Sequence, residues 1–199
     1  MNKLIVIILV IGFGILSMFS PIAHSSIYNE EIVDQSQTNI GTGCVMYNQY
    51  LAQSFKPTKT PLTKVELLLW RDVNPISDMI VSIRESIYGD DLVSIAVPAC
   101  ELPDEYDWVT FDFKDINVSV NKRYYIVYTL ADTNPNQGEK IYWSFGWVKG
   151  LINGWINDPY KNGRLYMKND ATLGDIWHRG YAPWQGQFDF CFKTYTQAS

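Results

Sequence analysis

"WVTFDF", residues 108–113, alternates without a fault: Val109, Phe111 and Phe113 fall on one side of an extended chain, Trp108, Thr110 and Asp112 on the other. Side chains of a strand point to opposite faces in turn, so an apolar residue at every second position describes a strand with one face against a core. Working outward, the same period returns. "RYYIVYTL" (123–130) sets Tyr124, Ile126, Tyr128 and Leu130 against Tyr125, Val127 and Thr129. "KVELLLWR" (64–71) aligns Val65, Leu67 and Leu69, and "MIVSIRE" (79–85) aligns Met79, Val81 and Ile83. "YLAQSF" (50–55), "LVSIAV" (92–97), "KIYWSFGW" (140–147), "GRLYMK" (163–168) and "QFDFCFKTY" (187–195) complete the series. β-Branched and aromatic residues fill these runs, and Pro, Gly, Asn and Asp stand between them.

No stretch carries a 3.6-residue apolar stripe capped at both ends, and no internal repeat is found. Many short strands with Gly/Pro turns make a sandwich or a barrel. The alternation gives each strand one buried and one solvated face, as two stacked antiparallel sheets require. The sequence therefore predicts an all-β fold, a single antiparallel β-sandwich over residues 45–199. Its expected core holds Val65, Leu67, Leu69, Val81, Ile83, Phe111, Phe113, Ile126, Tyr128, Phe190 and Phe192.

Upstream of this body, Asn2 and Lys3 precede an apolar run from Leu4 to Phe19, and Ala23-His24-Ser25 follows Pro21. A charged start, a short apolar segment and a small-x-small exit describe a secretory signal peptide over residues 1–25. The alternative is an uncleaved N-terminal anchor, although a span asks for about 20 apolar residues. Residues 26–44 are polar with little periodicity and read as a flexible leader. Export to the medium or the cell surface is the expectation.

The chain carries a formal net charge of −5 at pH 7, and losing Lys3 with the signal makes it one unit more negative. Nucleic-acid binding asks for a basic stripe, so that class is set aside. The three cysteines are Cys44, Cys100 and Cys191. An oxidising setting allows one disulfide and leaves one thiol over. Cys44–Cys100 is the expected pair, because Cys191 falls within the last apolar run. No CxxC spacing marks a zinc site.

The order "LAQSFKP", "LTKVELLLWR", "DMIVSIRE", "WVTFDF", "RYYIVYT" and "DFCFKTY" resembles a jelly-roll domain of secreted and cell-surface proteins of archaea and bacteria. Those domains are similar to non-catalytic carbohydrate-binding modules. The resemblance covers about residues 45–196. It implies a jelly-roll topology and a binding role without turnover. It also implies that Tyr160, Gly163, Tyr166 and Trp177, which recur in its pattern, serve the scaffold.

"YWSFGWVKGLINGWINDPY" (142–160) crowds Trp143, Trp147 and Trp155 into one short span. As a strand, residues 140–147 place Ile141, Trp143, Phe145 and Trp147 on one face, and such a set goes inward. Trp155 sits instead among Gly and Asn, in a loop. Trp184 is similar, in "RGYAPWQGQ" beside Tyr181. Loop aromatics suit the C–H face of a sugar ring, and Asn153, Asn157, Asp158 and Gln185 offer bonds to its hydroxyls. The competing expectation is a structural or adhesion domain that binds protein partners or builds an outer layer, with these aromatics in the core.

Asp158, Asp170 and Asp175, with Asn157 and Asn169, form an oxygen-rich set that could hold a structural calcium ion, though their spacing is not that of an EF-hand. No cofactor is otherwise expected. Asp104, Glu105 and Asp107 read as a solvated turn, and no nucleophile elbow surrounds any serine to pair with His178. An enzyme is not expected. Asn117-Val118-Ser119 is a glycosylation sequon between two runs.

Overall fold

Strands make up most of what the computed structural model describes: residues 30–40, 45–46, 50–71, 77–131, 140–146, 148–149, 156–168, 176–179, 181–182 and 186–198. In chain order they are β1 (Glu31–Gln37), β2 (Val45–Met46), β3 (Tyr50–Phe55), β4 (Leu62–Arg71), β5 (Met79–Arg84), β6 (Asp91–Val97), β7 (Asp107–Ile116), β8 (Tyr124–Leu130) and β9 (Ile141–Gly146). Then follow β10 (Val148–Lys149), β11 (Ile156–Asn157), β12 (Arg164–Lys168), β13 (His178–Arg179), β14 (Tyr181–Ala182), β15 (Gly186–Gln187), β16 (Asp189–Phe190) and β17 (Phe192–Gln197). The one helical element among the described residues is a 3-10 turn at Ala99–Glu101.

The strands form two antiparallel sheets packed as a β-sandwich. One sheet runs β1–β17–β4, with β7 along the other side of β4. Past the end of β17, β9 takes over the same side of β4, pairing Leu69 with Trp143, and β16 and β2 pair with β9. The second sheet runs β13–β12–β3–β8–β5–β6. Two short hairpins, β10–β11 and β14–β15, stand apart from both sheets.

The period-two reading places the core correctly. Every residue expected there is buried, and they belong to one cluster between the sheets with Phe55, Trp143, Leu165 and Tyr160. Trp143 is 0% exposed. Its ring stacks on Phe190 with centroids 4.2 Å apart, and its Nε1 donates to the Cys191 carbonyl at 2.9 Å. Leu68 N donates to the same carbonyl at 3.3 Å, and Cys191 N donates to the Ser144 carbonyl at 2.8 Å. Cys191 therefore lies at the junction where the last strand leaves β9 and enters between β1 and β4. Trp147 lies outside the described residues.

Two expectations need correction. The first is the leader over residues 26–44: Glu31–Gln37 is a strand, paired antiparallel with β17 from Glu31–Gln197 to Gln37–Phe192. Its buried side chains are Gln35 and Gln37, which hydrogen bonding rather than apolarity places inside. The second is the solvated outer face. Ala52 and Ser54 on β3 are buried, because a smaller cluster of Ala52, Ile87, Val127 and Tyr166, with Tyr125 and Trp177, covers that side of the second sheet. Trp177 meets Tyr50 edge-on, and its backbone N–H donates to Tyr88 Oη at 3.1 Å. On β9, Tyr142 stacks on Trp70 at 4.3 Å.

Tyr160, Tyr166 and Trp177 thus pack into the scaffold. So does Gly163, where an added Cβ would collide with the Ser54 carbonyl oxygen and the Tyr160 ring.

Candidate functional site

The last run of sequence enters the body through β15 and β16, and Asp189 is its first buried charge. An aspartate between Phe188 and Phe190 would ordinarily face water from the polar side of a strand. Here it is 0% exposed. Gln53, on β3, explains this: its Nε2 donates to Asp189 Oδ1 at 2.7 Å, and its Oε1 accepts from Phe190 N at 2.8 Å. One side chain therefore satisfies the carboxyl and the next backbone N–H together, as burial of both demands.

Tyr160 N–H completes the set. It donates to Asp158 Oδ1 at 3.0 Å and to Asp189 Oδ2 at 3.3 Å, so the two carboxyls converge on one donor. Burial first, and then the hydrogen bond with Asp158, push the Asp189 carboxyl up to about 8. The Tyr160 ring meets Phe192 edge-on at 5.1 Å. Its hydroxyl donates to Gln35 Oε1 at 2.9 Å and accepts from Lys56 N at 3.3 Å. Burial is the main cause that raises the Tyr160 phenol to about 12. Gln37 Nε2 donates to the carbonyls of Asp189 and Asn39, both at 3.1 Å. This polar knot joins β1, β3, β16 and the Asp158–Tyr160 segment.

The knot fixes what leaves it. Immediately before Asp158 comes β11, paired with β10 through Val148–Asn157 and Lys149–Ile156. Immediately before Phe188 comes β15, paired with β14 through Tyr181–Gln187 and Ala182–Gly186. β11 lies against β15, so the two hairpins are neighbours. In sequence, Trp155 directly precedes β11, and Trp184 stands between β14 and β15.

Of the expected ligand-binding residues, Asn157 and Tyr181 lie on those hairpin strands. Asp158 is half-buried and engaged with Tyr160 and Asp189. Trp155, Trp184, Asn153 and Gln185 lie outside the described residues, as do Asn169, Asp170 and Asp175 of the expected calcium set. Among the described residues, no group of three or more His, Cys, Asp or Glu side chains is placed to hold a metal ion. Cys100 is exposed and Cys191 is buried, with burial pushing its thiol up to about 12. Cys44 lies outside the described residues. Asp104, Glu105 and Asp107 are exposed, as is the sequon residue Asn117.

Sequence reasoning missed Gln35, Gln37, Gln53 and Asp189, the residues that position the hairpins. A signal was available in two of them. Gln35 and Gln37 keep the period of a strand with polar side chains, which asks for an inward-facing hydrogen-bonded pair. No protein-family model matches the chain, and no curated protein matches it either.

Proposed function

We propose that this chain is an exported, non-catalytic module of jelly-roll topology that binds carbohydrate through the paired hairpins β10–β11 and β14–β15. The strand pairing supports the topology. Taken in chain order, β1, β3, β4, β5, β6, β7, β8 and β17 pair first with last and inward: β1 with β17, β3 with β8, β4 with β7, β5 with β6. That is one long antiparallel ribbon folded at the β5–β6 turn and rolled into two sheets, the plan of a jelly roll.

The observation that carries the binding reading is the contact of β11 with β15. β11, which carries Asn157, and β15, which pairs with the strand of Tyr181, are brought together, and in the sequence each adjoins a run that contains a tryptophan. Aromatic faces with amide side chains nearby are what a pyranose ring stacks on and bonds to. The placement also suits display. β16 and β17 run from Asp189, by the hairpins, to Gln197, whose end lies beside Glu30: Ala198 N donates to the Glu30 carbonyl at 2.6 Å. A tether at the N-terminus would hold the end opposite the hairpins. Asp189 is buried and committed to Gln53, which supports a site without turnover.

The second reading, a structural or adhesion domain, is favoured by one observation: the described tryptophans and tyrosines of this stretch, Trp143, Tyr142 and Tyr160, all serve packing. A glycan array on residues 26–199, followed by Trp155→Ala and Trp184→Ala, separates the two. Binding at millimolar to micromolar Kd, about −4 to −8 kcal/mol, that both variants abolish supports the glycan module. No binding across the array, or loss of the fold in both variants, supports the structural domain.

A further inference from the structure

Asp158 and Asp189 are the two carboxyl groups of the polar knot. They meet where the hairpin β10–β11 joins the sandwich, both accepting from Tyr160 N–H. Two carboxylates that converge on one donor, one of them fully buried, repel each other unless a proton lies between them. No basic side chain pairs with Asp189 among the described residues; its other partner is the neutral Gln53.

We infer that the Asp158–Asp189 pair is a proton-operated latch: with the proton shared it seats the β10–β11 hairpin on the sandwich, and with the proton lost the hairpin loosens while the sheets stay folded. The latch rests on the proposed reading only for its consequence, which is a binding end that is ordered in neutral or acidic surroundings and loosened in alkaline ones.

The asymmetry of the pair supports this. Asp189 is held from β3 by Gln53 and is covered by the core. Asp158 is half-buried with Pro159 behind it, so relief of repulsion falls on its side. The neighbouring groups do not compete in the same range. Tyr160, from the same segment, and Cys191, two positions from Asp189, are raised to about 12. Asp34 of β1 acts on Tyr160 and raises its phenol further, adding negative rather than positive charge to this region. β9 opposes Asp189 with Gly146, and β12 brings Arg164, which pairs across to Ser54. The burial that raises Asp189 to about 8 puts the release just above neutrality.

The experiment is amide hydrogen exchange on the ligand-free mature chain from pH 6 to 9.5, corrected for the intrinsic base-catalysed rate, in wild type and in Asp158→Asn. An asparagine keeps the acceptor for Tyr160 N–H and offers Asp189 an amide donor in place of the proton. Wild type should lose about tenfold of its protection at residues 148–149 and 156–160 over about one pH unit past the release, with no such step past the release in β3 and β8. Asp158→Asn should stay protected throughout. Protection that is flat in wild type overturns the latch. So does an equal loss in Asp158→Asn, or the same step past the release in both sheets. Asp189→Asn, which also removes the titration, gives an independent check if it folds, and Asp158→Asn decides alone if it does not. Because no glycan is present, a failed latch and a failed binding site give separate results.

Discussion

Phe192–Gln197 and Asp189–Cys191 are consecutive in sequence, yet they are held in different ways. From Phe192 onward the strand alternates buried and half-buried residues and pairs with β4 in regular register on one side and with β1, across a single bulge at Asp34, on the other. Its place is set by a repeating pattern, and any one side chain is a small part of the whole. In Asp189–Cys191 every residue is buried, the ladder is shared between β9 and β4, and the position is set by named bonds from Gln53, Trp143, Leu68 and Tyr160. Pattern gives tolerance; particular bonds give a position, and each is costly to lose. The hairpins of the candidate site grow from the second kind.

The comparison is tested hardest at Trp143, which belongs to both regimes. Trp143→Ala removes the stack on Phe190 and leaves a cavity in the core, and it should cost about 3–5 kcal/mol. Denaturant unfolding of the variant measures this. A loss under about 1 kcal/mol would mean that the junction collapses freely and that position there is not set by particular bonds.

Gln53→Leu tests the bonds alone, since volume is nearly kept. It strips Asp189 Oδ1 and Phe190 N–H of their partner. Two buried groups left unsatisfied should cost about 2–4 kcal/mol in the same measurement. A neutral outcome would show that β16 is placed by packing.

Stability should also fall with pH in a direction set by Asp189. The folded chain keeps this proton up to about 8, whereas an unfolded aspartate releases it near about 3.9. The folded state therefore binds more protons between those values, and stability falls as pH rises through that window. The contribution is whole below about pH 4 and gone above about pH 8. Urea midpoints at pH 5, 7 and 8.5 check the slope, and Asp189→Asn should flatten it. A midpoint that rises across this range would refute the shared-proton arrangement.

These contrasts also explain what could be read in advance. The apolar strands were legible, because hydropathy with a period of two records which face is buried. The core of Val65, Leu67, Leu69, Phe111 and Ile126 follows from it directly. β1 was not legible in that way. Its inward residues are Gln35 and Gln37, which pair with Thr194 and Phe192 of β17, also buried. Hydropathy reads such a strand as a polar leader. Asp158 was visible as a loop acid beside an aromatic stretch, but its partner Asp189 looked like the wet side of a strand. Only the fold brings Gln53 to Asp189 across 136 positions of sequence.

The smallest expected effect on stability falls on the hairpins themselves. Trp155→Ala and Trp184→Ala change residues that the sequence reads as loop positions, next to the strands β11 and β15. A substitution away from core, caps and buried bonds changes stability by about 0.5 kcal/mol or less. The same variants should lose glycan binding, because a stacking ring provides most of the contact in a small site. The two readouts must therefore separate: thermal unfolding nearly unchanged, and binding gone. Trp143→Ala supplies the mirror case, with the fold weakened whether or not a glycan is present. If Trp155→Ala and Trp184→Ala instead unfold the chain as Trp143→Ala does, the hairpins belong to the core, and the distinction between the two halves of the last strand does not extend to the segments that grow from it.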